Sequence, residues 1–118
     1  MKVLIMLFLN LFRSDFIKYK HRFGLHGQVQ IHHIIPLEWK KHRNLLNHDY
    51  NINSGYNLIF LPSKRGKENI NTIRVVHDGG HSSYNKYVYN LLETGQNPYE
   101  INKFLRNCLI NNKQIPWY

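Results

Sequence analysis

The stretch VQIHHIIP, residues 29–36, decides the fold. It is a predicted strand that contains two adjacent histidines and ends in a proline. β-Branched residues on alternate positions are typical of a short strand, and Pro36 is expected to end it. Neighbouring side chains of a strand point to opposite faces, so His32 and His33 are predicted to face different surroundings. If the chain supplies further ligands, one imidazole can then bind a metal ion while the other faces different surroundings.

The size and charge of the chain limit what it can be. Its 118 residues predict one domain spanning 1–118, and 42% hydrophobic and 14% aromatic residues are enough to form a core. The formal net charge of +9 indicates a polyanionic partner, nucleic acid in the first place and an anionic membrane surface in the second. Cys108 is the only cysteine, which excludes an intrachain disulfide and cysteine-rich zinc sites.

The N-terminus, residues 1–23, begins with the apolar run MKVLIMLFLNLF. This run is too short to cross a bilayer, so no transmembrane segment is predicted. It is similar to the first half of a signal peptide, but no small-residue cleavage site follows it. We interpret residues 1–23 as an apolar N-terminal segment of the fold, with a targeting segment as the alternative. An intracellular location is therefore favoured over secretion.

Hydrophobic periodicity and turn residues predict a small α+β domain. Gly24 and Gly27 indicate a turn before the first strand, and Ser82 and Asn97 stand where helix N-caps are expected. The predicted elements after the first strand are a helix over 37–48, a strand over 58–62, a basic polar loop over 63–74, a helix over 82–95 and a C-terminal helix over 97–113.

Four of the eight histidines form two clusters, and this clustering is the main indication of function. His32 and His33 are adjacent, and His77 and His81 are separated by three residues. Imidazoles are common ligands of divalent transition metals, and three of them plus a water make an open, catalytic type of metal site. Such a site suits phosphodiester hydrolysis, in which a separate neutral base deprotonates the attacking water. A histidine fits that base because its pKa lies near neutral pH.

Three segments carry a resemblance to a known family: HHIIP at 32–36, GYNLIFLP at 55–62 and HDGGHSSYNKYVYNLL at 77–92. Together they resemble the AHH branch of the HNH and endonuclease VII superfamily of nucleases, over residues 27–94. The resemblance implies a ββα-metal core, in which two short strands and a helix surround one divalent ion. It also implies a metal-dependent endonuclease that hydrolyses phosphodiester bonds, with DNA favoured over RNA. The chain departs from the family at Ile31, where a small residue such as alanine is usual.

The resemblance assigns roles by position. His32 would be the first metal ligand and His33 the general base. His77 and His81 would be the other two metal ligands. Asn57 matches the central asparagine of the family, whose side chain braces the loop that carries the base.

The resemblance and the charge together nominate residues for substrate binding. Tyr84 follows the last ligand by three residues, as in the family, and either contacts phosphate or packs in the core. Basic side chains that follow the phosphate backbone are what non-specific binding requires. A basic set in the polar loop is favoured over a second set on the predicted helix over 37–48. The loop set comprises Lys64, Arg65 and Lys67, and the helix set comprises Lys40, Lys41 and Arg43.

One divalent ion is the expected cofactor, with Mg, Mn, Zn and Ni as the candidates. Three imidazoles favour zinc or nickel, whereas relatives of this family work with magnesium or manganese. No small-molecule cofactor is expected. Nucleic acid is the expected partner, and an inhibitor or immunity protein is a further candidate.

Three other interpretations stay open at the level of sequence. In the first, a nucleic-acid-binding module without catalysis holds a structural zinc, for which His26 or His48 would supply a fourth ligand. In the second, the N-terminal run belongs to a secreted or membrane-surface basic protein. In the third, His77 and Asp78 form the motif of HD-type phosphohydrolases, which are larger, all-helical domains.

Overall fold

The computed structural model describes residues 11–118. The interpretation of residues 1–10, as part of the fold or as a targeting segment, lies outside the described residues. From residue 11 onward, five α-helices and a two-stranded antiparallel sheet form a small α+β fold, which confirms the predicted class. No helix in this described part is long and apolar enough to span a membrane.

Two short strands, β1 (Val29–His33) and β2 (Leu58–Pro62), form the sheet. They pair antiparallel over all five residues of each strand. β2 has the predicted bounds, whereas β1 ends at His33, before the apolar run ends. The ladder stops there because Asn57, which lies opposite Ile34 in the register, accepts a hydrogen bond from the Ile34 amide (2.8 Å) but donates its own amide to the Ser54 carbonyl (2.9 Å).

The helices differ in how much of their surface they bury. The α-helices are α1 (Arg13–Arg22), α2 (Arg43–Asn47), α3 (Lys64–Asn69), α4 (Ser82–Glu93) and α5 (Pro98–Ile110), and two 3-10 helices span Leu37–Trp39 and Gly55–Asn57. α4 buries Tyr84, Val88 and Leu92, which recur at every fourth position and so share one face. α1 buries only Phe16, so the apolar character expected for residues 1–23 does not extend through this helix.

The core lies between the sheet and the two long helices. Ile59 and Leu61 of β2 belong to the same buried cluster as Leu92 of α4 and Leu105 of α5. Removal of these apolar surfaces from water is the main force that holds the sheet and the helices together. The parts of the chain that carry the clustered histidines are therefore attached to one core.

The helix predicted over 37–48 is wrong as a single element. The chain forms the 3-10 helix Leu37–Trp39 and then the separate helix α2. His42 interrupts the helical path because its backbone is extended (φ −62°, ψ 135°) and its Nδ1 accepts a hydrogen bond from the Asn44 amide (3.0 Å). A histidine that caps a helix is not a usual N-cap, so the pattern gave no warning of this break.

The loop predicted over 63–74 is also wrong in its first half, which forms α3. Ser63 caps this helix, because its hydroxyl accepts a hydrogen bond from the Gly66 amide (3.0 Å). Gly66 lies within this helix and permits a close approach of two backbones. A Cβ atom at this position would lie 1.7 Å from the Gln28 carbonyl oxygen.

The two long helices begin close to the predicted positions. The Asn97 side chain accepts a hydrogen bond from the Tyr99 amide (2.8 Å) and caps α5, as predicted. α4 begins at Ser82, so its N-cap is His81 and not Ser82. This shift of one residue matters for function, because it places a histidine at the start of a buried helix.

Gly66→Ala tests the contact between α3 and the segment before β1. The added methyl group overlaps the Gln28 backbone, so the free energy of unfolding should fall by about 3 kcal/mol. Gly80→Ala is the matched control, because a Cβ atom at this position would have none of the described residues within 4 Å beyond its chain neighbours, and it should change stability by less than about 0.5 kcal/mol. Urea unfolding of both variants measures the difference, and equal stability would mean that α3 does not pack against this backbone.

Candidate active site

Three histidines from separate parts of the chain meet at one point. His32 lies on β1, His77 lies in the irregular segment before α4, and His81 is the N-cap of α4. Their ligand atoms lie within 4.8 Å of one another. Their ring centroids are 5.1 to 5.3 Å apart. The structure thus brings together the three residues predicted to bind metal, and their role as ligands stays a prediction.

Backbone hydrogen bonds position the irregular segment between α3 and α4. The His77 amide donates to the Pro62 carbonyl at the end of β2 (2.8 Å). The Val75 amide donates to the Leu109 carbonyl of α5 (3.0 Å). Gly79 then turns the chain toward α4 with a φ of 64°, a conformation that glycine adopts without strain. A segment without regular structure therefore still holds His77 in place.

The donor atoms of the cluster fit a divalent ion. His32 is only 2% exposed, and its Nε2 atom is buried without a hydrogen-bond partner among residues 11–118. A buried polar atom without a partner is costly, so an observed one calls for a physical reason. A bound cation would supply that reason, and three imidazole nitrogens are a donor set typical of zinc or nickel.

Burial also keeps these imidazoles in the form that binds metal. Burial, followed by the charges on His77 and His81, holds the pKa of His32 well below its usual value of 6.5. Burial, followed by the charge on His81, lowers the pKa of His77. Both rings are therefore neutral at neutral pH, with lone pairs available to a cation.

A hydrogen-bonded pair of side chains supports His81. Oδ1 of Asn85 lies 2.7 Å from Nδ1 of His81, and Nδ2 of Asn85 donates to Oε1 of Glu38 (2.6 Å). Neither residue was among the site residues predicted from the sequence. One local feature of the sequence pointed to Asn85: it follows His81 by four positions, and residues four apart lie on the same side of a helix. No local feature pointed to Glu38, because it lies 47 positions away from Asn85 in the chain.

Trp117 forms a wall of the histidine cluster and was also missed. Its ring centroid lies 5.4 Å from those of His32 and His77 and 5.2 Å from that of His81. Its carbonyl accepts a hydrogen bond from the Tyr84 amide (3.2 Å), an amide in the first turn of α4 that has no partner within the helix. No motif in the sequence connects the C-terminal residues to the histidines.

Tyr84 packs in the core and does not reach the surface. It is fully buried, its ring lies 5.0 Å from that of His32, and its hydroxyl donates to the Ile34 carbonyl. Burial raises the pKa of Tyr84 well above 10, so the hydroxyl stays a neutral donor. Of the two roles expected from the sequence, the structure shows packing, and a contact with phosphate is not available to this side chain.

His33 lies on the face of β1 opposite to His32, as strand alternation predicts. It is half-buried, and its Nε2 atom is shielded from solvent without a hydrogen-bond partner in the described part of the chain. Burial lowers the pKa of His33, a hydrogen bond with Asn53 opposes this change, and the charge on Arg13 adds to it. His33 is therefore a neutral imidazole at neutral pH, which is the protonation state that a general base needs.

Asn57 braces the turn that follows His33. Its side chain is fully buried, and Oδ1 accepts a hydrogen bond from the Ile35 amide (2.9 Å). Nδ2 donates to the carbonyls of Ile35 (3.0 Å) and Ile52 (2.8 Å). The two bonds to Ile35 fix the backbone two residues after His33, the predicted base. This is the brace that the resemblance implies, while a catalytic role for Asn57 stays a prediction.

The basic set predicted to bind substrate lies on α3. Lys64, Arg65 and Lys67 are all exposed. Nζ of Lys64 lies 3.2 Å from a carboxylate oxygen of Asp78, and Asp78 directly follows His77 in the chain. The basic face of α3 therefore begins beside the histidine cluster, and its role in substrate binding stays a prediction.

The fold and the site together define a class of protein. The two-stranded antiparallel sheet, the segment before α4 and the start of α4 bring three imidazoles to one point, which agrees with the ββα-metal core that the resemblance implies. A family model agrees, since residues 14–113 match AHH, a nuclease family of the HNH/ENDO VII superfamily with conserved AHH. This match covers more than half of the chain, so the chain belongs to the AHH nuclease family.

The extent of the match corrects one expectation. The resemblance was placed over residues 27–94, whereas the family match also includes α1, apart from its first residue, and all of α5. Trp117 lies beyond the matched residues. Comparisons with curated proteins and with solved structures gave no match.

Metal binding should stabilise the protein if the three histidines act as ligands. Free Zn²⁺ at about 100 times its Kd should raise the free energy of unfolding by about 2.7 kcal/mol, because it binds only the folded state. Thermal unfolding with Zn²⁺ and with a chelator measures this shift. His77→Ala should abolish it, and His48→Ala, outside the three-histidine group, should retain it. An equal shift in both variants would place the ion elsewhere.

Proposed function

We propose that the protein is a metal-dependent endonuclease that hydrolyses phosphodiester bonds with one divalent ion and His33 as the general base. This proposal rests on one observation, that two adjacent histidines lie on opposite faces of β1. His32 joins His77 and His81 in the buried cluster. His33 stays outside it, with a shielded nitrogen that has no partner among residues 11–118. One short stretch thus provides both a ligand and a base.

His33 accepts a proton from the water that attacks the phosphorus, in line with the leaving 3′ oxygen. Burial lowers the pKa of His33, so the ring is already neutral when the substrate arrives at neutral pH. Asn57 holds the Ile35 backbone on both its amide and its carbonyl. The turn after His33 is then rigid, which keeps the imidazole at a fixed distance from the reacting atoms.

His32, His77 and His81 would hold the ion, which would supply Lewis-acid chemistry by polarising a phosphoryl oxygen and stabilising the negative charge that develops there. The alternative of a structural zinc requires a fourth protein ligand. Among residues 11–118, the group that can hold an ion contains these three histidines and no fourth member. His26 and His48, the two suggested fourth ligands, both lie in this part of the chain and are not members of the group. This supports an open, catalytic type of site.

Nucleic acid is the proposed substrate, with DNA favoured over RNA. The net charge of +9 and the exposed basic residues of α3 beside the cluster support a polyanionic substrate. The attacking group is a water molecule, so the reaction needs no 2′-hydroxyl, and DNA is a sufficient substrate. Cleavage of matched DNA and RNA strands by the wild-type protein tests this preference.

Substitution of the adjacent histidines should separate the two roles. His33→Ala should keep the fold and bind metal with unchanged affinity, yet lose cleavage by about 10²- to 10⁴-fold. His32→Ala should lose both metal and cleavage. Plasmid nicking and metal titration of the two variants measure these effects. If His33→Ala releases the metal and His32→Ala retains it, the proposed roles are reversed.

The pH dependence of cleavage provides a second readout for the same variants. The base works only while neutral, and its pKa lies below the usual 6.5, so activity at saturating metal should fall on acidification below about pH 6.5. This fall in activity at low pH, the acid limb of the pH profile, should be absent from the residual activity of His33→Ala. Metal occupancy followed in parallel separates loss of the base from loss of the ion. An unchanged limb in His33→Ala would identify another group as the base.

Substitution of the basic residues of α3 should weaken binding to all nucleic-acid sequences alike. The triple variant of Lys64, Arg65 and Lys67 to Ala should flatten the dependence of log K on log salt, by up to about 0.9 for each lost phosphate contact. The triple variant of Lys40, Lys41 and Arg43 to Ala removes the same charge and is the matched control. Filter binding at several salt concentrations compares them. An equal change in both slopes would mean that only net charge matters.

A further inference from the structure

We propose that Asn85 and Glu38 position the proposed ligand His81, by fixing its proton on Nδ1 so that Nε2 faces the ion. The inference rests on the proposed metal centre, and it adds two residues that the proposed mechanism does not use. It concerns the orientation and the tautomer of one imidazole.

The direction of each hydrogen bond follows from the chemistry of the groups. A carboxylate only accepts hydrogen bonds, so Glu38 requires the NH₂ group of Asn85 on its side. The distance from Nδ2 of Asn85 to Oε1 of Glu38 is 2.6 Å. The amide oxygen of Asn85 must then face His81, at 2.7 Å from Nδ1. An amide oxygen also only accepts, so Nδ1 of His81 must carry the proton.

The consequence for metal binding is direct. A neutral imidazole has one protonated and one unprotonated nitrogen, and only the latter binds a cation. With the proton on Nδ1, the lone pair of His81 is on Nε2. The carboxylate behind the amide stabilises this arrangement, as acidic groups often do behind the histidine ligands of metal sites.

The backbone around this pair is fixed independently of the Asn85 side chain. Nε1 of Trp39 donates to the Asn85 carbonyl oxygen (2.9 Å), which holds the 3-10 helix Leu37–Trp39 against α4. Glu38 belongs to the same 3-10 helix. Removal of the Asn85 side chain therefore breaks the two side-chain hydrogen bonds and leaves the contact between the two helices in place.

The experiment compares variants of the full chain with zinc as the probe. Asn85→Ala should weaken Zn²⁺ binding by about 10- to 100-fold, the usual effect of losing a group behind a ligand. Glu38→Ala should weaken it by a smaller factor, because the amide is then free to rotate. Glu38→Gln should bind like the wild type, since its amide oxygen can still accept from Asn85. Asn90→Ala, at an exposed position of α4, is the matched control and should have no effect.

The tautomer of His81 is the readout that a merely structural role would not change. Nitrogen-15 NMR of the metal-free wild type should show the proton of His81 on Nδ1, and Asn85→Ala should lose this preference. If Asn85→Ala keeps the tautomer and binds Zn²⁺ within about 3-fold of the wild type, the inference is wrong. If Glu38→Ala keeps both the tautomer of His81 and the wild-type affinity for Zn²⁺, Glu38 does not position His81. A wild type with the Nδ1 proton but no Zn²⁺ binding would instead refute the proposed metal centre.

Discussion

The fold around the candidate active site depends on the buried carboxamide of Asn57. This side chain holds two turns together. Its oxygen accepts a hydrogen bond from the Ile35 amide, and its NH₂ group donates to the carbonyls of Ile35 and Ile52. Its oxygen further accepts a hydrogen bond from the Tyr50 hydroxyl (2.6 Å). All these groups lie in a low-dielectric interior, where a hydrogen bond is strong and an unpaired group is costly. An apolar residue at position 57 would leave the Ile35 amide and two carbonyls without this partner.

The support of this carboxamide extends to the C-terminal helix. Asn102 of α5 donates a hydrogen bond to the Tyr50 hydroxyl (2.7 Å) and another to the Tyr56 carbonyl (3.0 Å). The Tyr50 hydroxyl therefore connects α5 to Asn57 and, through it, to the turn after His33. This network gives a physical reason for the family match to include α5, a helix that the sequence analysis placed outside the nuclease core. The helix is structurally part of the site although it contributes none of the clustered histidines.

The sequence predicted features that local patterns encode and missed those that depend on tertiary contacts. The two strands, the opposite faces of His32 and His33 and the cap at Asn97 follow from alternation and from short-range hydrogen bonds. The bond from Asn85 to Glu38 has no local signature, and neither has the packing of Trp117 on the histidine rings. Of the two wrong elements, the first has a local cause and the second a tertiary one. A histidine caps α2, and α3 contains a glycine that a neighbouring backbone requires.

The distance along the chain between the clustered histidines has a consequence for folding. An ion shared by His32 and His77 would close a loop that contains β2 and α3, and it would therefore act as a crosslink. In the chain-entropy model, a crosslink over a loop of this size restricts the unfolded chain by about 4 kcal/mol. The single cysteine of this sequence cannot form an intrachain disulfide. A small basic domain of this kind would thus gain from such an ion the constraint that secreted proteins of similar size obtain by oxidation.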